Sequence, residues 1–211
     1  MTAHRSPIRR AAAVAAAATA SVVLAACGGG EDSSPSGHDG HSKSASPSAS
    51  ALAQQGEHNT ADVSFAKGMI PHHRQAVEMA ELAETRAASA EVKTLAAEIK
   101  KAQDPEIRTL SGWLTSWGEE VPKEGESAEH GGHAMSGMMT PEEMDKLEKS
   151  SGKVFDTAFM ELMIKHHEGA IEMAKTEQSN GAYKPAKDMA GTIITSQSAE
   201  IERMNKLLGK S

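Results

Sequence analysis

Cysteine is almost missing: the 211-residue chain has one, Cys27. A single cysteine excludes a disulfide framework within the chain and a thiolate cluster for zinc or iron–sulfur chemistry. Any soft ligand must therefore be methionine. Aromatic residues are also scarce, at three Phe, two Trp and one Tyr. Basic residues are outnumbered, 22 against 29 acidic, for a net charge of −7. That balance argues against a nucleic-acid partner, which needs a basic face. There is one long apolar run, Ala11 to Ala26, and it is short for a membrane span.

That run has the pattern of a secretion signal. Arg5, Arg9 and Arg10 precede it, and it ends in Leu24-Ala25-Ala26-Cys27. These four residues resemble the lipobox of bacterial lipoproteins, in which the peptidase cuts before the cysteine and the cysteine carries the lipid. The resemblance implies a signal peptide over 1–26, lipidation of Cys27, and an extracytoplasmic protein anchored to the bacterial cell membrane. Loss of the three arginines takes the net charge from −7 to −10. Eleven of the twelve methionines lie beyond Cys27.

Residues 27–59 are rich in Gly, Ser, Pro and Ala without apolar periodicity. They read as a disordered tether, with a root-mean-square span of about 30 Å for roughly 30 flexible residues. The domain is expected over 60–211. Within it, "MIPHHRQAVEMA" (Met69–Ala80) returns 94 residues later as "MIKHHEGAIEMA" (Met163–Ala174), identical at eight of twelve positions. At the same offset Asp62 matches Asp156, Phe65 matches Phe159, and "QDPEIRTLSGWL" (Gln103–Leu114) matches "QSAEIERMNKLL" (Gln197–Leu208). The halves, 62–117 and 153–208, each predict a helical hairpin, and two such hairpins make an all-α four-helix bundle. A polar linker, 118–140, joins them.

Local signals agree with helices. Thr60 is placed to cap the first, and Thr140-Pro141-Glu142-Glu143 to open a short helix before the third long pattern. Asn180-Gly181 separates the last two patterns. Pro71 and Pro105 fall inside periodic runs. Their counterparts are Lys165 and Ala199, so the helices are expected to continue with local bends.

On a wheel of 100° per residue, His72 and His73 fall on opposite flanks of the buried stripe of their helix, with Met69 one turn earlier. The next helix carries Gln103 and Glu106 inside an apolar stripe. The second copy repeats this with Met163, His166, His167, Gln197 and Glu200. A carboxylate and an amide in a bundle core must be paired or bind metal. One reading is a His–Glu–Gln hydrogen-bond network that fixes register; the other is a metal site. Imidazole with thioether and no thiolate favours copper, and thioether favours Cu(I) in particular. Zinc is possible, but it does not explain the methionines. The Glu-x-x-His pairs of di-iron bundles are missing. Met79 and Met173, taken alone, fit core packing. In the linker, His130, His133, Met135, Met138 and Met139 form an auxiliary Met/His-rich loop that could bind metal without a fold.

Met-Ile-x-His-His, Met-Ala and Gln-x-x-Glu-Ile together resemble the family catalogued as domain of unknown function 305, over about Asp62 to Leu208. The resemblance implies a ferritin-like four-helix bundle, often secreted or membrane-anchored, with some members associated with copper binding and copper tolerance. By position the family motif falls on Met69, His72, His73, Met79, Gln103 and Glu106, and on Met163, His166, His167, Met173, Gln197 and Glu200. Lys165 replaces the usual proline and removes no candidate ligand.

The expectation is a lipid-anchored extracytoplasmic protein that captures or buffers copper, with a metal ion and the membrane as partners. The sequence leaves its oligomeric state open. No catalysis is implied, because Ser-His-Asp order and a phosphate loop are both missing. The alternatives are a metal-dependent redox enzyme on a ferritin-like frame, and a structural or partner-binding lipoprotein whose polar core sets register.

Overall fold

Asn59, not Thr60, starts the first helix, α1 (Thr60–Arg86). Its side-chain oxygen accepts from Ala61 N at 2.8 Å and Asp62 N at 3.2 Å, while Asp62 accepts from Asn59 N at 2.6 Å. This reciprocal box satisfies donors that a helix start leaves open. The computed structural model describes residues 56–125 and 136–210. The signal, Cys27, most of the tether, and His130, His133 and Met135 lie outside the described residues.

Four elements follow: α2 (Ala90–Trp117), α3 (Pro141–Lys149), α4 (Gly152–Asn180) and α5 (Lys184–Leu207). Ser89 caps α2 through Val92 N, and Gly118 closes it in the left-handed region at φ 75°. Thr140 and Glu143 form a second capping box, with Pro141 in the first turn of α3. Pro71 and Pro105 each remove one rung of the backbone ladder, yet α1 and α2 run through them. The short connections at 87–89 and 181–183 fold α2 back on α1 and α5 back on α4. The two first helices, α1 and α4, also pack on each other. The result is an all-α four-helix bundle with one short extra helix. No helix among the described residues is long and apolar enough to cross a membrane.

The core forms two apolar clusters. One contains Phe65, Met69 and Ile70 of α1, Leu110 and Leu114 of α2, Ala170 and Ala174 of α4, and Ile193 of α5. The other contains Ala76 and Met79 of α1, Leu95 and Ile99 of α2, Phe159 and Met163 of α4, and Met204 of α5. On every long helix, one cluster precedes a polar position and the other follows it: His72 and His73, Gln103, His166 and His167, and Gln197. The sequence thus places a polar belt between two apolar layers.

Pairs of residues 94 apart make matching contacts at the two ends. Asp62 accepts from Ala182 N and Tyr183 N in the α4–α5 connection, at 3.2 and 2.9 Å. Asp156 accepts from Ala88 N and Ser89 N in the α1–α2 connection, both at 3.0 Å. Each hairpin's first helix therefore caps the turn of the other hairpin. Leu207 departs from its expected place in the apolar stripe and is 39% exposed.

Candidate metal centre

His72, His73, His166 and His167 are all fully buried. The two flanks of each helix have different neighbours. His72 meets His166 across the α1–α4 contact, with ring centroids 3.8 Å apart and planes tilted by 41°. His73 and His167 turn outward to α2 and α5. His73 Nε2 lies 2.7 Å from Glu106 Oε2, and His167 Nε2 lies 2.6 Å from Glu200 Oε2. The two halves therefore bring one histidine each, His72 and His166, to the α1–α4 contact.

The hydrogen bonds assign the imidazole tautomers. A carboxylate oxygen accepts, so Nε2 of His73 and of His167 donates, and Nδ1 is the ring position left facing the core. His72 Nε2 donates to the backbone carbonyl of Ser136 at 3.2 Å, which leaves Nδ1 with the lone pair. Among the described residues none of these three Nδ1 atoms has a partner, and His166 has none at either nitrogen. A ligating histidine is usually held in this way, with one nitrogen tied to a carboxylate or carbonyl and the other offered to a metal.

Glu106 and Glu200 meet the histidines of the neighbouring helix as expected, but they are less buried than expected. They stand at the edge of the core, with side chains 19% exposed, and their oxygens bond imidazole. This geometry gives them the place of orienting groups. Gln103 and Gln197 are buried as expected, but among the described residues neither atom of the Gln103 amide has a partner, nor does the Gln197 oxygen. Met69 and Met163 are fully buried in opposite apolar clusters, one turn before the histidines of their own helices. Met79 is a core residue, and Met173 is half-buried against the first cluster. Met139 is not part of a loose loop: it is buried in the second cluster, and its backbone is bonded to the side chain of Gln75 from both sides, at 2.7 and 3.0 Å. Met138 is half-buried beside it.

Burial keeps the central pair neutral. His72 is pushed down to about 3, first by desolvation and then by the nearby charge of His73, with the Ser136 carbonyl opposing. His166 is held well below the usual imidazole range by burial and by its three histidine neighbours. The main chain of His72 comes near enough to offset this slightly, without reaching hydrogen-bond geometry. Neutral imidazoles bind metals, so no proton has to leave before binding. Among the described residues, no group of three or more His, Cys, Asp or Glu side chains stands ready to hold a metal ion. The donors on offer are paired imidazole nitrogens with thioethers in the adjoining layers, a set suited to a soft ion.

Sequence reasoning missed the Ser136 carbonyl, Gln75 and a second buried acid, Glu177. Glu177 is 1% exposed, and among the described residues no donor reaches either of its oxygens. Desolvation pushes it up to about 8, helped by Asp62 beside it and opposed by Lys187. The pair is satisfied when Glu177 keeps its proton and donates it to Asp62. Burial alone would raise Asp62, but Glu177 and the N–H groups of Asn59, Tyr183 and Ala182 together hold it below the usual carboxylate range.

The fold has counterparts among known proteins. The sequence profile of the domain of unknown function DUF305 matches residues 62–208. A protein of Streptomyces coelicolor, described as a candidate secreted DUF305 protein, is 34% identical with a TM-score of 0.65, covering 71% of this chain and 93% of its own. A DUF305 fragment from Deinococcus radiodurans is 30% identical with a TM-score of 0.64, covering 72% and 98%. CopM in its Cu(II)-bound form is 35% identical with a TM-score of 0.60, covering 69% and 94%; Cu(I)-bound and silver-bound forms match as well. A search of curated proteins gave no match. With the profile spanning both hairpins and the belt between them, this chain belongs to the DUF305 family.

Proposed function

We propose that this protein binds copper in the polar belt of its bundle, as an extracytoplasmic, lipid-anchored protein that captures or buffers the ion. The observation that carries the reading is the His72–His166 pair: two fully buried, neutral imidazoles 3.8 Å apart with unpartnered nitrogens. Their neighbours His73 and His167 leave Nδ1 facing the core. Met69 and Met163 supply thioether, which suits Cu(I). Glu106, Glu200 and the Ser136 carbonyl orient the rings, while Gln103 and Gln197 are left as polar groups that a bound ion can draw in. CopM, similar over most of its length, has been solved with Cu(I), Cu(II) and silver, which supports a copper-associated role here. The candidate secreted relative and the Leu24–Cys27 box support the address.

A finished hydrogen-bond network that only sets register is the competing reading, and the His73–Glu106 and His167–Glu200 bonds favour it. Against it stand the unpartnered Gln103 amide and the His166 ring. Competitive copper titration under reducing and oxidising conditions separates the two. Replacement of His72, His73, His166 and His167 by alanine is expected to abolish tight binding, whereas replacement of His130, His133, Met135 and Met138 by alanine, which keeps the Ser136 carbonyl and Met139, lowers capacity. A folded four-alanine variant that binds as tightly as the parent rejects the bundle site.

A further inference from the structure

The two twelve-residue copies differ at four positions; two of these touch the linker between the halves and a third touches α3, which follows it. Arg74 donates to Pro122 O at 2.7 Å, and Lys165 reaches Glu143 at 3.3 Å. Gln75 grips both backbone groups of Met139. Its counterpart 94 residues on is Gly169, against which Ser136 and Gly137 pack directly. A Cβ at Gly169 would lie 2.0 Å from the Ser136 carbonyl oxygen, and one at Gly137 would lie 2.6 Å from Lys165 O. Gly137 also has φ 80°, a conformation that favours glycine. Ser136 Oγ donates to Glu172 at 2.7 Å. The repeat is thus broken where a short strap, residues 136–139, crosses from α1 to α4.

The strap lies over the centre of the belt. Its Ser136 carbonyl is the acceptor for His72 Nε2, and His72 faces His166. Because all four imidazoles are fully buried, nothing from solution reaches them unless a covering element moves. Shifting a long helix would open an apolar cluster. Lifting the strap breaks a few hydrogen bonds and a glycine contact and draws one side chain, Met139, out of the second cluster, which costs far less than moving a helix and places it toward the low end of local opening free energies.

We propose that the Ser136–Met139 strap is the gate of the buried His72–His166 pair, held shut by Gln75 and Gly169 and opened for a soft metal ion to enter or leave. The proposal rests on the copper reading for its ligand. Gln75 and Gly169 act through the strap and touch no ligand.

The test uses the full chain with Gly169→Ala, which forces the strap away, and Gln75→Ala, which releases Met139 without adding volume. Stopped-flow transfer of Cu(I) from a coloured chelator should become about tenfold faster in both directions, with affinity changed far less. In the metal-free protein, carbethoxylation of His72 and His166 by diethyl pyrocarbonate, mapped by mass spectrometry, should accelerate similarly. Faster carbethoxylation in proteins that take up no copper would keep the gate and reject the copper reading. Parent-like carbethoxylation or parent-like uptake in folded variants overturns the gate and points to a route past the half-buried Glu106 and Glu200. If circular dichroism shows that Gly169→Ala fails to fold, Gln75→Ala alone decides.

Discussion

A fully buried imidazole with neither nitrogen engaged weakens a fold unless something binds it. His166 is in that position, and each unpaired buried polar atom costs roughly 1–3 kcal/mol. His166→Leu should therefore stabilise the metal-free bundle by about 1–2 kcal/mol, because replacing an unsatisfied polar group with an apolar one of similar volume removes a penalty. The same change should weaken copper binding at least about tenfold. Urea unfolding and competitive titration read the two effects; a clear loss of stability would show that the ring is a packing element. Glu106 and Glu200 act one step away. Replacing either by alanine frees the Nε2 of His73 or His167 and should lower affinity by about 10- to 100-fold, while glutamine, which still accepts from Nε2, should lower it less. The histidines and glutamines of this belt were legible in the sequence, because residues breaking an apolar stripe must be buried. The role of the carboxylates was not, since a side chain at the edge of a stripe can face a metal or a ring, and only the rotamer decides.

At the level of elements, the hairpins hold each other through their turns. Asp156 takes two N–H groups from the α1–α2 connection, a contact across 67 and 68 residues of chain. Hydrogen bonds to a charged acceptor contribute about 1.5–3 kcal/mol each at most, and two sharing one carboxylate contribute less than their sum. Asp156→Ala should then cost about 2–3 kcal/mol, measured as a lower urea midpoint with the m-value unchanged. Helix type, the α3 start and the Asn180 stop could be read directly, because caps and periodicity are local. The 94-residue repeat even paired Asp62 with Asp156. Their target could not be read: an acid in a first turn suits the helix dipole equally well, and the turn it caps belongs to the other hairpin. Met139 was misplaced for a similar reason. A Gly- and Met-rich segment looks mobile until a distant glutamine, Gln75, pins its backbone.

Over the whole molecule, the belt and the turns give stability two opposing pH dependences. His72 and His166 are held neutral, His72 at about 3, whereas an unfolded imidazole titrates near 6.5. Their contribution is complete above 6.5 and is lost as pH falls from there toward 3, because the unfolded chain takes up protons that the native one refuses. Glu177 works the other way. Its native value is about 8 against 4.5 when unfolded, so its contribution is complete below 4.5 and lost as pH rises to about 8. Each group titrating alone can give a slope approaching about 1.4 kcal/mol per pH unit. The two windows overlap between 4.5 and 6.5, where two histidines outweigh one glutamate, so the metal-free protein should be most stable near pH 6.5. Copper at 100 times its dissociation constant should add about 2.7 kcal/mol at neutral pH. Glu177 has Ala83 as its counterpart in the first half, so Glu177→Gln removes the alkaline limb while keeping a neutral donor to Asp62. Urea midpoints from pH 4 to 9 check this: the variant should be flat from 6.5 to 8 where the parent declines, and parallel curves would mean that Glu177 does not hold its proton in the native bundle.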